Sequence, residues 1–185
     1  MTLHLVRHGR ASAGWDADPD PGLDASGVEQ AGAVADVLAA IAHAPRPIAT
    51  SPLRRCRDTA AHLAARWGVE PEVVREIGEI PSPEGVPLAE RSTWLKAALA
   101  GTWTDLGSRW TAYRDEVVSS VIALARRDAV AFTHFVAINA VIGAALGDDR
   151  VLLRRLDNCS ITVVDVVDDR LLLRSGGAEA DTQVR

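Results

Sequence analysis

At 185 residues and 48% hydrophobic content, the chain is long enough to bury one sizeable core without disulfides or a structural metal, and no linker divides it. A formal charge of −5 excludes the extended basic surface that a general nucleic-acid or anionic-membrane binder needs. Two cysteines without close spacing, Cys56 and Cys159, give neither a disulfide framework nor a metal knuckle and fit a reducing compartment.

The start, Met1-Thr2-Leu3-His4-Leu5-Val6, runs straight into a strand with no basic leader, and no apolar run approaches membrane-spanning length, so a cytoplasmic protein is expected. A loop rich in Gly, Asp and Pro reaches Gly22. The helix after it keeps helical spacing at Val28, Ala31, Val34, Ala35, Leu38 and Ile41. Asp24 or Ser26 caps it, Ser26 with Glu29 in capping-box register. Pro47 to Thr50 reads as the second strand, ended by Ser51-Pro52, where serine is a good N-cap and proline suits the first helical position. Leu53, Cys56, Ala60, Leu63 and Trp67 form that helix's buried stripe, and Arg55 falls off the stripe beside Thr59. Val73-Val74-Arg75 is a short strand or extended segment delivering Glu76. From Gly78 to Thr104, Pro81, Pro83, Gly85 and Pro87 with Trp94 and Trp103 mark a loop plus short helix over the strand ends. The two tryptophans are read as core or lid packing in preference to a partner-binding face. Trp110, Tyr113, Val117, Val121 and Leu124 trace a long amphipathic helix. A strand from Ala129 to Thr133 follows, then a helix carrying Val136, Val141, Ile142 and Leu146 to Gly147. Ile161 to Val167 and Arg170 to Leu173 pair as a closing hairpin across Asp168-Asp169. Strands alternating with helices predict a three-layer α/β/α sandwich with a mostly parallel central sheet, a single domain over residues 1–175 and a mobile tail over 176–185.

Three of these strands end in residues suited to an anion: Arg7-His8-Gly9, Ser51-Pro52-Leu53-Arg54-Arg55 and Thr133-His134. Ligands of open α/β sheets sit at the carboxyl ends of the strands, so two histidines and two arginines are expected in one crevice. A phosphoryl group in transfer spreads negative charge over its oxygens and needs fixed positive donors, here Arg7 and Arg55. A neutral imidazole is a competent nucleophile, and His8 is the choice: Arg7 helps keep it unprotonated, and Gly9 lets backbone and phosphate approach closely. His134, ahead of a helix, can bind phosphate oxygens with its ring and the amides after it. Taken alone it would be a strand-end histidine satisfied by hydrogen bonds; its company changes that weighting. The leaving oxygen needs a proton from a carboxylic acid, and spacing favours Glu76, with Glu79 as rival and the loser a solvated loop carboxylate. Ser12 and Phe135 complete the expected substrate-facing set. Asp16, Asp18, Asp20 and Asp24 do not match a calcium loop and read as a solvated acidic segment. No close-spaced ligand motif joins the histidines and the arginines would repel a cation, so neither metal nor cofactor is expected.

Arg7-His8-Gly9 near the N-terminus, the Ser-Pro-Leu-x-Arg helix start at Ser51 and the later His134 resemble the histidine phosphatase superfamily, also called phosphoglycerate-mutase-like. Leu23-Asp24-x-x-Gly27-x-x-Gln30-Ala31 is similar to that family's first helix, Val-Arg-Glu ending at Glu76 to its acid-bearing segment, and Asn158-Cys159-Ser160-Ile161-Thr162 to its late strand. The resemblance implies a transient phosphohistidine on His8 and phosphate binding by His134. Two positions depart from the pattern: Phe135 stands where a small residue is usual, and Gly14 where mutase members often carry asparagine. With the short chain, these favour hydrolysis over mutase chemistry. The expected activity is metal-independent hydrolysis of phosphomonoesters, on a small phosphorylated metabolite or on a phosphoprotein, phosphohistidine included. A phosphoglycerate-type mutase and a non-catalytic phosphate-binding protein are the alternatives. The physiological substrate and the oligomeric state are not legible from the sequence.

Overall fold

Alternation along the central strands decides what each face of the sheet must meet. In β1 (Thr2–Arg7) Leu3 and Leu5 pack to one side and Val6 to the other; in β2 (Ile48–Thr50) Ala49 opposes Ile48. Both sets are buried, so the sheet needs cover on both faces. The computed structural model, which describes residues 1–14 and 16–179, places a helix layer on each. Besides β1 and β2, the six-stranded sheet contains β3 (Glu72–Val73), β4 (Val130–Thr133), β5 (Ile161–Val167) and β6 (Arg170–Ser175), in the order β3-β2-β4-β1-β5-β6. The first four are mutually parallel, β5 pairs antiparallel with β1, and β6 pairs antiparallel with β5. The three-layer, mostly parallel sandwich expected from the sequence is therefore the fold.

On one face, Val34, Ala35 and Leu38 of α1 (Ala25–Ile41) and Ala60 and Leu63 of α2 (Arg54–Trp67) cover Val6, Ile48, Val130 and Phe132. On the other, α5 (Ser108–Ala125) and α6 (Phe135–Leu146) bring Val117, Val121, Ile138 and Ile142 against Leu3, Leu5 and Ala131. The long span after Gly78 holds a 3₁₀ turn at Leu88–Glu90 and two short helices, α3 (Arg91–Ala98) and α4 (Trp103–Leu106), one more helix than the spacing predicted. Trp103 is fully buried against Tyr113, and Trp94 stacks on Trp110, so both tryptophans are packing groups. Asp168 and Asp169 both take positive φ, as a two-residue hairpin turn requires.

One open local expectation is settled and three change. Asp24, not Ser26, caps α1 by accepting from Gly27 N–H at 2.8 Å, while Ser26 Oγ accepts from Arg10 Nη2. Val28 and Ile41, assigned to the apolar stripe of α1, are about half exposed (46% and 51%), because the helix turns Ala31 and Leu38 inward instead. The helix after Ser51 begins at Arg54, with Leu53 at its cap position; Ser51 is taken by His134, described below. Beyond β6, residues 176–179 fold back: Asp157 N–H donates to Ala178 O at 2.9 Å and Leu156 bridges Glu179, and the rest of the predicted tail lies outside the described residues. Cys56 and Cys159 are not bonded to each other. Among the described residues no helix is long and apolar enough to cross a membrane.

Candidate active site

Parallel pairing brings the strand ends together before any side chain is considered. Arg7 is in register with Thr133, and His8 N–H donates to Thr133 O at 3.0 Å, which makes His8 and His134 neighbours. Their rings meet edge to face with centroids 5.4 Å apart. Ser51, the first residue beyond β2, donates its N–H to Phe132 O at 3.0 Å and so reaches the same edge. The first turn of α2 then sets Arg55, buried, between the imidazoles. Its Nε lies 3.2 Å from His8 Nε2, and its Nη2 lies 3.2 Å from His134 Nδ1 and 3.3 Å from Glu79 Oε2.

The tautomer of His8 follows from its partners. Nδ1 stands 2.8 Å from Gly9 O, which can only accept, so Nδ1 carries the hydrogen and Nε2 turns its lone pair toward Arg55. Burial first, and then the guanidinium charges of Arg55 and Arg7, push the pKa well below that of an ordinary histidine. The ring is neutral, with Nε2 an acceptor bonded by Arg55 Nε. Its backbone is held by Asn158, whose Nδ2 donates to His8 O at 3.0 Å, and by Thr59, whose Oγ1 accepts from Gly9 N–H at 3.0 Å and donates to Arg55 O.

Gly9 has a reason beyond phosphate access. A Cβ there would stand 2.6 Å from Gly27 O, and one on Gly27 would overlap the Arg10 carbonyl, so the His8 loop and the start of α1 touch backbone to backbone. Arg7 donates from Nη1 to Leu156 O at 2.6 Å, and its guanidinium lies over the Phe135 ring, 5.3 Å from the centroid. Phe135 thus holds an arginine and forms part of the crevice wall. Among the described residues Arg7 Nε and Arg55 Nη1 are buried without a hydrogen-bond partner, leaving unmet donor capacity in both guanidiniums.

The carboxylate in the crevice is Glu79. Favoured by spacing, Glu76 lies exposed on a 3₁₀ turn over Arg75–Ile77, because Val74 and Ile77, three residues apart on such a turn, share the side packed on the core. The Ile77 carbonyl accepts from Thr133 Oγ1 at 2.6 Å and the Gly78 carbonyl from Tyr113 at 2.9 Å, which aims the next residue inward. Glu79 meets Arg55 and His134, each at 3.3 Å. Burial works against its charge, yet His134, Arg55 and His8 outweigh it and hold the carboxyl well below the usual carboxylate range. His134 is fully buried and its own pKa is lowered, first by burial, so we assign the ionic pair to Arg55 and Glu79 and take His134 as neutral. Its Nε2 is 2.7 Å from Ser51 Oγ, which explains why Ser51 does not cap α2. Cys56, packed beside the same ring, has its thiol pushed up by burial and stays protonated.

Arg7, His8, Arg55 and Glu79 line a cavity of about 60 Å³, room for several waters or one phosphoryl group. Ser12 is exposed and spends its N–H on Gly22 O; its neighbours Ala11 and Ala13 line the cavity instead. The ligand atoms of His8, Glu79 and His134 lie within 4.8 Å of one another, a spacing a metal ion can use. The Arg55 guanidinium faces those same atoms, so a fixed cation already serves them. The structure brings together the two histidines and two arginines that the sequence pointed to. Sequence reasoning missed the roles of Thr59 and Leu156, of which only Thr59, one turn beyond Arg55, left a signal.

A sequence model of the histidine phosphatase superfamily (branch 1) matches residues 3–177. No curated protein sequence matches significantly. Among solved structures, a phosphoserine phosphatase from Entamoeba histolytica, in complex with 3-phosphoglyceric acid, superposes with TM-score 0.72 at 20% identity, covering 97% of this chain and 98% of the other. The α-ribazole phosphatase of Shigella flexneri gives TM-score 0.75 at 16% identity over 99% and 100%. A mycobacterial glucosyl-3-phosphoglycerate phosphatase gives 0.73 at 23% over 97% and 99%. At these identities the likeness is one of fold. The family match, however, starts inside β1 and ends beyond β6, and on that footing the chain belongs to the histidine phosphatase superfamily.

Proposed function

We propose that the protein is a phosphatase that hydrolyses phosphomonoesters without a metal, through a phosphohistidine on His8. The observation that carries this is His8 Nε2, a neutral acceptor nitrogen beside the Arg55 guanidinium in a crevice that Arg7 and a carboxylate also line. In the first step the Nε2 lone pair attacks phosphorus, the P–O ester bond breaks, and Glu79 in its acid form gives its proton to the departing alkoxide. The Nδ1–H bond to Gly9 O stabilises the positive charge that grows on the ring. Arg7 and Arg55 take the charge of the phosphoryl oxygens, Arg55 being the donor nearest the attacked position. Arrival of a phosphate dianion draws Arg55 away from Glu79 and adds negative charge beside it, both of which raise the Glu79 pKa and let it enter protonated. In the second step Glu79 takes a proton from a water whose oxygen bonds to phosphorus, the P–N bond breaks with its electron pair returning to His8 Nε2, and inorganic phosphate leaves.

The experiment is phosphate release from 4-nitrophenyl phosphate with and without EDTA, beside rapid-quench trapping of the enzyme. Turnover should survive chelation, an acid-labile phosphoenzyme should accumulate, and His8→Ala should abolish both while folding normally. Activity lost to EDTA and restored by a divalent ion, or a His8→Ala variant with near-normal turnover, contradicts the proposal.

A further inference from the structure

We infer, on the basis of the phosphatase reading, that this site takes monoesters of apolar, uncharged alcohols and rejects phosphates carrying a carboxylate. All charge in the cavity is at its floor. Two guanidiniums, Arg7 and Arg55, face one carboxylate, Glu79, and two neutral histidines. A phosphate dianion with Glu79 protonated matches that floor and leaves no positive charge over.

Beyond the floor the lining is Ala11, Ala13, Pro21, Leu95, Phe135 and Val136, without a polar side chain. Leu95 comes from α3 and Phe135 from α6, so the wall that the alcohol portion meets is aliphatic and aromatic. Arg10, Arg54 and Arg91, the basic residues of the loop, of the start of α2 and of the start of α3, do not line the cavity, and the first two are engaged. Arg10 bonds Asp24 and Ser26, and Arg54 pairs with Asp58. Fixed charge on the loop nearby is acidic: Asp16 accepts from Ser92 of α3, and Asp20 accepts from Arg54 N–H. A second anionic group would meet no lining cation and would lose its hydration against an apolar wall. This differs from what the names of two fold relatives, acting on phosphoserine and on glucosyl-3-phosphoglycerate, would transfer.

The test compares phosphonates, which bind without turning over, by calorimetry on the wild-type protein: butylphosphonate against 4-phosphonobutyrate, of equal chain length but with a terminal carboxylate. Butylphosphonate should bind at least tenfold more tightly, and affinity should rise about three- to fourfold per methylene from ethyl to butyl. Ala13→Arg, on the loop, should narrow or reverse the gap. Equal affinities, or tighter binding of the carboxylated ligand by the wild type, overturn the inference. Because no turnover is read, failure of the phosphatase reading shows separately, as absent hydrolysis of 4-nitrophenyl phosphate and of butyl phosphate.

Discussion

Replacing Glu79 by glutamine separates the acid's chemistry from its packing. The amide of Glu79→Gln keeps the size and an accepting oxygen near Arg55 Nη2, now 3.3 Å from the carboxylate, but has no proton to give. Loss of a general acid slows turnover by about 10²- to 10⁴-fold where the leaving group is a poor one. Butyl phosphate should show that loss, whereas 4-nitrophenyl phosphate, whose phenolate leaves with little protonation, should lose about tenfold at most. The same substitution breaks a pair whose side chains are 5% and 15% exposed. Breaking such a pair costs roughly 3–5 kcal/mol when one charge is stranded, and the retained acceptor should bring the loss to about 2 kcal/mol. That corresponds to a melting temperature lower by roughly 4–8 °C for a chain of this size. With one negative charge removed from the floor, orthovanadate should bind more tightly. Glu76→Gln, on the exposed turn, should leave both substrates within about twofold of wild type. Equal losses on the two substrates would confine Glu79 to a structural role, and a leaving-group contrast appearing in Glu76→Gln would return the acid to that residue.

Gly27→Ala should destabilise by about 1–3 kcal/mol in urea titration and depress turnover with it, since the added Cβ overlaps the Arg10 carbonyl and displaces the His8 loop; wild-type stability would show that the two backbones separate freely. Asn139, buried in α6, bonds Phe135 O and Arg154 O through Nδ2 and accepts from Leu153 and Arg154 N–H, so it ties together the two elements that hold Arg7. Asn139→Leu should therefore cost roughly 2–4 kcal/mol and raise KM more than it lowers kcat; an unchanged KM in a folded variant counts against this role. Stability should fall as pH drops below about 6.5, because His8 and His134 have lowered pKa values in the fold, burial first, and only the unfolded chain takes up their protons in that range. The slope approaches about 1.4 kcal/mol per pH unit for each histidine, Glu79 adds the same sign below about 4.5, and denaturation midpoints flat from pH 7 to 5 would contradict the buried neutral assignment.

The sheet and the positions of His8, Arg55 and His134 were legible because each rests on a local rule that tertiary contacts reinforce: short apolar strands, parallel pairing, and polar residues at the strand ends. The acid was not. Spacing placed Glu76 after an extended run, whereas the chain turns by three residues there, and whether a carboxylate faces the crevice depends on Ile77 docking in the core and on Thr133 and Tyr113 capturing two carbonyls. Those captures join residues 35 and 56 positions apart, beyond the reach of any local pattern. Ser51 was misread for a related reason, since its cap propensity competes with a neutral histidine 83 residues away that offers a shorter bond.

The same long-range contacts explain how so much charge is kept in a buried floor. Arg55 donates to His8 Nε2 and Glu79 Oε2 and packs 3.2 Å from His134 Nδ1, which allows a guanidinium to sit 4% exposed. A phosphoryl group entering the cavity substitutes its own oxygens for those acceptors. The exchange frees the His8 lone pair for phosphorus and loosens the hold on Glu79 in a single rearrangement. On this reading Arg55 links the two reacting groups as well as binding the anion. Arg55→Lys keeps the charge but has one ammonium in place of the planar fork, and cannot serve His8 Nε2 and Glu79 Oε2 together. It should lose kcat more than phosphate affinity. A variant that lost only affinity would reduce Arg55 to a simple anion donor.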